Sequence, residues 1–381
     1  MIMNKKYKNR KVLMVSNTSW YLYNFRRPLI QYLIDSDYTV IIVAPKDKYS
    51  DKLIALGTQF YSVPISRHGK SFYSDAKLIY RLIKIYKNID PDIIHHFTIK
   101  PVIYGSFASK FISRKVAIVN SITGLGIAFK KDTYFDRLFN YFIVSLYKIS
   151  GNINYKVIFQ NIDNMNTFLD KKIVHQSQCH LIKSSGVDIN YFKKNGYVKS
   201  DNITRYGIMC RMLWSKGLKE FVDCAIKLHK QNPSTKFYIL GSPDITSPDN
   251  VPESWLKDIA EKYSFINWQG HVDDVRKFLE KIDVFVLPSY YPEGVPRSLI
   301  EAGAMNLPLI TTDTSGCKDV VLDGRNGYLV KMKNETDLYE KMSLLSKDAS
   351  LRIKMGEESR KLVSINFNVN NVNKQTIEVY N

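Results

Sequence analysis

The sequence predicts an α/β protein made of two doubly wound domains, each with a parallel sheet. Short apolar runs typical of strands alternate with helical patterns along the whole chain, which favours parallel α/β units. The runs form two series, and a polar stretch separates them. The 381 residues are also enough to give each of two domains its own hydrophobic core.

The first predicted domain covers residues 1–187, with helices such as 23–34 and 75–88 between its strands. Residues 188–204 are polar, contain Gly196 and include few apolar side chains, so we expect a linker there. The strand-like runs of this domain lie at 11–16, 38–44, 59–63, 92–96, 116–120, 156–160 and 180–183.

The second predicted domain covers residues 205–381 and repeats the same alternation. Segment 367–380 follows the last strand of this series and is predicted to form a C-terminal helix. The strand-like runs lie at 206–211, 236–241, 266–270, 284–288, 309–312 and 327–330.

Charge is distributed unevenly between the two halves of the chain. Residues 1–190 contain 28 Lys and Arg, 12 Asp and no Glu, and so carry +16 of the net charge of +19. This excess predicts an anionic partner for the first domain: a membrane surface, a lipid-linked diphosphate or nucleic acid. No recognisable nucleic-acid-binding module accompanies the basic residues, which argues against nucleic acid.

The cysteines and the hydropathy pattern bear on the cellular compartment. No C-x-x-C spacing joins any of the four cysteines and no secretory signal precedes them, which is typical of reduced thiols in the cytoplasm. No uninterrupted apolar run reaches about 18 residues, so we expect no spanning helix. With the basic first half, these features predict a cytoplasmic protein bound peripherally to the inner face of the membrane.

Segment 288–302 is the most informative stretch of the chain and reads PSYYPEGVPRSLIEA. It follows the apolar run 284–287, with Glu293 in a Gly/Pro loop and Glu301 in the helix after it. A strand, a loop and a helix in this order place a ligand at the carboxyl end of a parallel strand. The helix N-terminus suits an anion such as a diphosphate, and carboxylates accept hydrogen bonds from sugar hydroxyls.

A second loop in the same half carries two cations. Arg211 and Lys216 follow the predicted strand 206–211, and Gly217 precedes a helix. A guanidinium offers a planar fork of donors and an ammonium offers a compact charge, and both match phosphate oxygens.

The motif E-G-x-P-x-S-L-x-E-A at 293–302 resembles the donor site of the family 4 retaining glycosyltransferases, and Arg211 to Gly217 is similar to their R-x4-K-G motif. The resemblance implies the GT-B architecture, two Rossmann-like domains facing across a cleft, with the donor domain second. It also implies that Glu301 holds the nucleotide ribose and that Arg211 and Lys216 hold the diphosphate.

The same resemblance implies further donor contacts. Glu293 would face the donor sugar, and Glu293, Arg211 and Lys216 together are the candidate catalytic residues. Backbone N–H groups near Gly294 and Val295, with Ser298 in the first helical turn, would complete the anion site. The family usually has glycine where this chain has Asn306, and asparagine tolerates the left-handed backbone that such a turn needs.

Candidate acceptor-side residues lie near the predicted strand ends of the first domain. Arg26 or Arg27 would meet an acceptor phosphate or simply begin a solvated helix. Many family members have H-x-H near position 95, and here Phe97 occupies the position of the second histidine. Adjacent histidines of a strand face opposite sides, so His95 and His96 are not expected to form one site. The full set of candidates is Arg26, Arg27, His95, Lys100, Thr123 and Gly124.

Segments 97–105 and 121–126 resemble a narrower subgroup that adds N-acetylhexosamine to undecaprenyl-diphosphate-linked sugars. The resemblance implies a nucleotide-sugar donor, most simply UDP-linked, and a lipid-linked glycan acceptor. No cofactor is implied. DxD-like pairs at 35–37 and 90–92 precede strands instead of following them, so no metal is expected. A nucleotide-sugar epimerase or hydrolase of the same fold and a transferase to a soluble sugar remain alternatives.

Two helices of the first domain suggest contact with an interface. Segment 74–88 combines a helical apolar repeat with four cations, so it would either lie on an anionic bilayer or pack its apolar face into the core. Segment 134–147 is densely aromatic, which suits an interface and also a core.

Overall fold

The structure, a computed structural model, describes residues 9–65, 72–112, 116–125, 129, 134–151, 156–194, 202–292 and 294–381. The chain divides into two compact units. The first consists of residues 1–185 together with 370–381, and the second of residues 186–369. Each unit has its own parallel sheet, which confirms the predicted α/β class.

Seven parallel strands form the sheet of the first unit, in the order β3-β2-β1-β4-β5-β6-β7. The order reverses direction beside β1, which is where doubly wound sheets bind their ligands. Runs such as 40–44 are apolar throughout because helices cover both faces of the sheet. The strands are β1 (Lys11–Val15), β2 (Thr39–Ala44), β3 (Gln59–Ser62), β4 (Ile93–Phe97), β5 (Ala117–Ile122), β6 (Lys156–Phe159) and β7 (Cys179–Leu181).

Helices cover both faces of this sheet, and two of them contain a π-helical turn, at Leu22–Arg26 and Pro101–Gly105. The helices before the second unit are α1 (Ser19–Tyr21), α2 (Arg27–Asp35), α3 (Ser50–Ile54), α4 (Phe72–Ile89), α5 (Ser106–Ser109), α6 (Tyr134–Gly151) and α7 (Ile162–Asp170).

Segment 74–88 was predicted either to lie on a bilayer or to pack into the core, and helix α4 shows where its apolar face lies. Leu78, Leu82 and Tyr86 are buried against the first sheet, so this face belongs to the core. The cations Lys77 and Lys84 remain exposed on the other side.

Six parallel strands form the sheet of the second unit, in the order β10-β9-β8-β11-β12-β13. The strands are β8 (Thr204–Met209), β9 (Thr235–Leu240), β10 (Ile266–Trp268), β11 (Val284–Leu287), β12 (Leu309–Thr312) and β13 (Gly327–Val330). The helices are α8 (Leu218–Gln231), α9 (Glu253–Lys262), α10 (Arg276–Lys281), α11 (Arg297–Ala304), α12 (Glu335–Lys347) and α13 (Ala349–Asn366).

The C-terminal helix α14 (Val369–Tyr380) differs from the sequence prediction, which placed it with the second domain. Residues 370–381 belong to the first unit because the apolar face of α14 completes that unit's core. Val372 and Ile377 pack into the cluster that contains β1 and β2, and the Asn373 side-chain amide donates to the carbonyl of Pro28.

The predicted linker 188–204 also has a different boundary in the structure. Phe192 is buried in the core of the second unit, so the start of this polar segment is packed; residues 195–201 lie outside the described residues. None of the helices in the described part of the chain combines the length and the hydropathy needed to cross a lipid bilayer.

Candidate active site

Gly217 closes the loop between β8 and α8 and brings it against the loop that follows β11. Its backbone has φ 78°, a left-handed conformation that favours glycine. A Cβ atom at this position would lie 2.3 Å from the carbonyl oxygen of Pro288. Only glycine therefore allows loop 211–217 to contact loop 288–296 this closely.

Hydrogen bonds hold the same two loops together. The backbone N–H groups of Tyr290 and Tyr291 both donate to the carbonyl of Ser215, at 2.9 and 3.0 Å. The Ser289 hydroxyl donates to the same carbonyl at 3.3 Å. The backbone N–H of Ser215 donates in turn to Asp249 at 3.2 Å. The two motifs found in the sequence thus form one connected surface.

Lys216 lies inside this surface and is only 7% exposed. Its ammonium is 4.8 Å from the centre of the Tyr291 ring, a cation–π distance. Burial, followed by the repulsion of Arg211, lowers the pKa of Lys216 to about 8. A buried cation beside a second cation is electrostatically costly, and an anionic ligand would relieve that cost.

Arg211 is more exposed than Lys216 and is held by a carboxylate. Its Nη1 donates to Asp244 at 3.0 Å, and its guanidinium carbon lies 5.8 Å from the Tyr291 ring centre. Burial would raise the pKa of Asp244, but hydrogen bonds from Thr246 and Arg211 bring it below its usual value. With 48% of its side chain exposed, Arg211 still presents donors to a ligand.

Glu301 lies in the second half of α11 and is 9% exposed. Arg297, one turn earlier, donates from Nε to the Glu301 carboxylate at 2.6 Å. Burial raises the pKa of Glu301, and the adjacent Arg297 opposes that shift. The result is a buried carboxylate oriented by one guanidinium, on the helix that follows β11.

Helix α11 begins without a capping side chain. Pro296 is the N-cap residue, so the helix proper starts one residue later than the proline. Gly294 and Val295 are buried directly before it, and Ser298 lies in its first turn. The N–H groups of a first turn have no partner within the helix and point beyond its start, which suits an anion. Glu293 lies outside the described residues.

Two threonines at the end of β12 fix the position of the loop that follows β11. The Thr311 hydroxyl donates to the carbonyl of Leu287 at 2.7 Å, and the Thr312 hydroxyl donates to the carbonyl of Ser289. Asn306 has φ 57°, so it does adopt the left-handed conformation that the sequence predicted for the turn after α11.

Three residues of this site were not predicted from the sequence: Tyr291, Asp244 and Asp249. Tyr291 lies within the 288–302 stretch, so the sequence did contain this aromatic residue, whose ring contacts both cations of the loop 211–217. The two aspartates come from the segment after β9, which only the fold brings to this edge.

In the first unit, His95 and His96 face opposite sides of β4, as predicted. His95 bonds to the Tyr380 hydroxyl through Nδ1 and to the Ser121 hydroxyl through Nε2, both at 2.7 Å. His96 bonds to the Tyr86 hydroxyl at 2.9 Å and to Asn120 at 2.8 Å.

Both histidines are therefore hydrogen-bonded at each ring nitrogen inside the unit. Burial, followed by the charge of Arg26, holds the pKa of His95 well below its usual value. Burial lowers the pKa of His96 to about 4, against the opposing hydrogen bond to Asn120. Two neutral rings with occupied nitrogens are suited to holding strands and helices in place.

Arg26 is a buried cation at the end of the first π-helical turn. It is 5% exposed, stacks 4.8 Å above the Phe97 ring centre and donates to the Tyr21 hydroxyl at 3.0 Å. No carboxylate in the described ranges pairs with it. Arg27 is exposed and lies over the Tyr23 ring.

The other acceptor-side candidates follow β4 and β5, which are neighbours in the sheet. Lys100 donates to Asp75 at 2.8 Å, and the Tyr104 hydroxyl donates to the other oxygen of that carboxylate. Thr123 and Gly124 come directly after β5, where Gly124 has φ 149°. The carboxyl ends of parallel strands share one edge, so these residues lie on the same edge as Arg26.

Comparison with known proteins assigns both halves of the chain to glycosyltransferase families. Residues 191–362 match the model described as "Glycosyl transferases group 1", and residues 11–161 match "Glycosyl transferase 4-like". The chain is 30% identical over 351 residues to an N,N'-diacetylbacillosaminyl-diphospho-undecaprenol alpha-1,3-N-acetylgalactosaminyltransferase of Campylobacter jejuni. That alignment covers 89% of this chain and 90% of the relative.

A second relative and a solved structure extend the comparison. A UDP-Gal:alpha-D-GlcNAc-diphosphoundecaprenol alpha-1,3-galactosyltransferase of Escherichia coli is 22% identical over 81% of this chain and 80% of its own length. The crystal structure of Anabaena Alr3699/HepE in complex with UDP has a TM-score of 0.77 and 18% identity, and covers 97% of this chain and 98% of its own. This likeness shows a shared fold.

Proposed function

The chain belongs to the group 1 glycosyltransferases, and on this premise we propose that it transfers a hexose or N-acetylhexosamine from a UDP-linked donor to a lipid-diphosphate-linked glycan. The transfer retains the configuration of the anomeric carbon. The names of the two relatives support the acceptor class, because both contain a diphosphate-linked undecaprenol. Such a reaction belongs to the assembly of surface polysaccharides or protein-linked glycans.

The observation that carries the donor half of the proposal is the cation pair of the second unit. Lys216 and Arg211 share the Tyr291 ring and lie on one loop, which is hydrogen-bonded to the segment before α11. In the proposal they bind the diphosphate of the donor with the first turn of α11. Glu301 accepts hydrogen bonds from the ribose hydroxyls, and Glu293 faces the donor sugar.

The chemical step follows from these roles. The bond between the anomeric carbon and the β-phosphate oxygen breaks, and a bond to the acceptor hydroxyl oxygen forms on the same face of the sugar. The acceptor proton passes to an oxygen of the departing diphosphate. Negative charge grows on that diphosphate toward the transition state, so Arg211 and Lys216 bind the transition state more strongly than the ground state.

The acceptor half of the proposal rests on Arg26. A guanidinium that is buried and lacks a described carboxylate partner suits a phosphate oxygen. Lys100, Arg27, Thr123 and Gly124 are the further acceptor-side candidates at this edge, whereas both ring nitrogens of His95 are occupied within the unit. The basic first half and the exposed cations of α4 would hold the enzyme on the inner, anionic face of the membrane.

The test is a panel of nucleotide sugars offered with a diphosphate-lipid glycan in detergent, followed by the mass of the product. We expect one donor to extend the lipid-linked glycan by one residue, with EDTA leaving turnover largely intact. Donor hydrolysis that is equally fast without acceptor would indicate a hydrolase, and an epimerised nucleotide sugar would indicate an epimerase. Extension of only a soluble sugar would refute the lipid-linked acceptor.

A further inference from the structure

Helix α6 presents apolar side chains on both of its faces. Ile143, Val144 and Tyr147 are buried in the first unit's core. On the outer face five large apolar side chains are between 45% and 75% exposed. We call them the α6 stripe, which consists of Tyr134, Leu138, Tyr141, Phe142 and Ile149.

The α6 stripe follows one side of the helix, with Ser145 between Phe142 and Ile149. At 3.6 residues per turn its members fall within an arc of about 100°, and from first to last they span roughly 22 Å. Exposed Arg137 and Lys148 lie along one border of that arc. Surface helices normally expose a polar face, and a contiguous apolar patch on a protein surface marks an interaction site.

Helix α4 cannot supply this kind of contact. Its apolar face is buried against the sheet, and among the α4 side chains that the structure describes, Tyr73 and Tyr80 are the large apolar ones that are exposed. The segment from Pro101 to Ser109 packs against both α4 and α6, so these helices form one layer. The charges of α4 and the α6 stripe belong to the same layer of the first unit.

We infer that the α6 stripe inserts into the interface of a membrane, and that this membrane is an anionic phospholipid bilayer. Charge complementarity selects a bilayer over a protein partner, because residues 1–190 carry +16 and no Glu. The stripe also has the composition of an interfacial segment, with tyrosine and phenylalanine rings beside lysine and arginine. The inference rests on the proposed lipid-linked acceptor.

Two contributions to binding follow, and they differ in their response to salt. Attraction of lysines to anionic headgroups is screened over about 3 Å at 1 M salt. Insertion of apolar side chains is not screened. The α6 stripe therefore accounts for the part of vesicle binding that persists at high salt.

The test uses the full chain with Leu138→Gln, Tyr141→Gln and Phe142→Gln combined. Co-sedimentation with phosphatidylglycerol–phosphatidylethanolamine vesicles is measured at about 1 M salt, without donor or acceptor. We expect the variant to lose at least about tenfold in partitioning, while thermal unfolding and turnover on a short-chain soluble acceptor stay unchanged. The matched control replaces three exposed apolar residues of the second unit with Gln: Leu344, Ile353 and Ile365.

A second measurement keeps the inference testable if the triple variant folds poorly. Tyr141→Trp should add fluorescence that brominated lipids quench, beyond the quenching seen in the wild type. Equal vesicle binding of wild type and triple variant would overturn the inference. So would a wild-type dimer that becomes monomeric in the variant with vesicle binding unaltered, since the stripe would then join two copies. Failure of the proposed transferase reaction would appear in the substrate panel instead.

Discussion

Lys216 shows how one residue can be both costly to the free enzyme and useful to the reaction. Burial lowers its pKa to about 8, so at neutral pH the charged form persists in a place that disfavours it. A diphosphate would compensate this cost and raise the pKa again. The residue thus suits an anionic ligand, because burial and the neighbouring Arg211 both disfavour its charge.

This shift predicts how donor affinity depends on pH. The charged fraction of Lys216 falls as pH rises through about 8, so UDP affinity should be level from pH 7 to 7.5 and then weaken by up to about tenfold per pH unit. Calorimetry with UDP from pH 7 to 9.5 measures this. Lys216→Arg should flatten the profile, because arginine keeps its charge.

Lys216→Ala should also lower turnover by on the order of 10²-fold, while Lys219→Ala, an exposed neighbour, serves as the control.

The free energy of unfolding should depend on pH in the opposite direction to UDP affinity. The unfolded chain binds the extra proton up to the ordinary pKa of 10.5, so the free energy of unfolding should rise between about pH 8 and 10.5. Identical pH profiles for wild type and Lys216→Arg would contradict the assignment.

Glu301 leads to a separate prediction about the nucleoside half of the donor. Glu301→Ala removes a charged acceptor worth about 1.5–3 kcal/mol, so UDP affinity by calorimetry should fall by between roughly tenfold and 150-fold. Uridine diphosphate analogues that lack the ribose hydroxyls should bind to the wild type and to the variant with equal affinity. Glu357→Ala, an exposed glutamate on α13, is the matched control. Unchanged UDP affinity in Glu301→Ala would remove this residue from the ribose site.

Residue types and spacing were enough to propose Arg211, Lys216 and Glu301 as donor-site residues, because each belongs to a segment in which an apolar strand is followed by a loop and a helix. They were not enough to find Asp244, which holds Arg211. Nor did they reveal the partners of His95, because Tyr380 comes from a helix 285 residues away. Partners of this kind depend on which elements the fold brings together.

At the scale of elements, the strands agree with the sequence prediction to within two residues at every end. Buried parallel strands are apolar along their whole length, so their signal is strong. Helices α12 and α13 were not predicted, because their apolar positions are sparse. The position of α14 was missed for another reason: its apolar face specifies burial but not which core will bury it.

Helices α4 and α6 show the same limit more sharply. The sequence left open whether α4 lies on a bilayer or packs into the core, because its charges and apolar residues separate cleanly and suit both. In the structure the apolar side of α4 packs against the sheet. Helix α6 has apolar residues all round, and only the fold determines which of them stay outside. An amphipathic pattern identifies a buried face without identifying what covers it.

At the scale of the whole molecule, the two halves of the chain differ in charge. Residues 1–190 carry +16 of the net +19, and the nearly neutral remainder holds the donor-side motifs. An anionic membrane would attract the first half, with each basic residue near the surface contributing about 1 kcal/mol. That attraction is screened beyond about 8 Å at physiological salt.

The last prediction separates this electrostatic contribution from insertion by α6. Replacing four basic residues of α4 with Gln should weaken binding to anionic vesicles at low salt by about tenfold or more. It should leave the salt-resistant binding and the turnover on a short-chain soluble acceptor unchanged, because α4 keeps its buried apolar face. Vesicle co-sedimentation between about 0.05 and 1 M salt measures both parts. The four residues are Lys77, Arg81, Lys84 and Lys87.

The control must remove the same charge from elsewhere, because any loss of four cations reduces non-specific attraction. Exposed lysines of the second unit are suitable, and substituting them should alter vesicle binding far less than the α4 variant does. If both variants lose binding equally, net charge alone attracts the protein and α4 does not face the membrane. If neither loses binding, the cations of α4 are merely solvated and the α6 stripe acts without them. The control residues are Lys227, Lys230, Lys262 and Lys347.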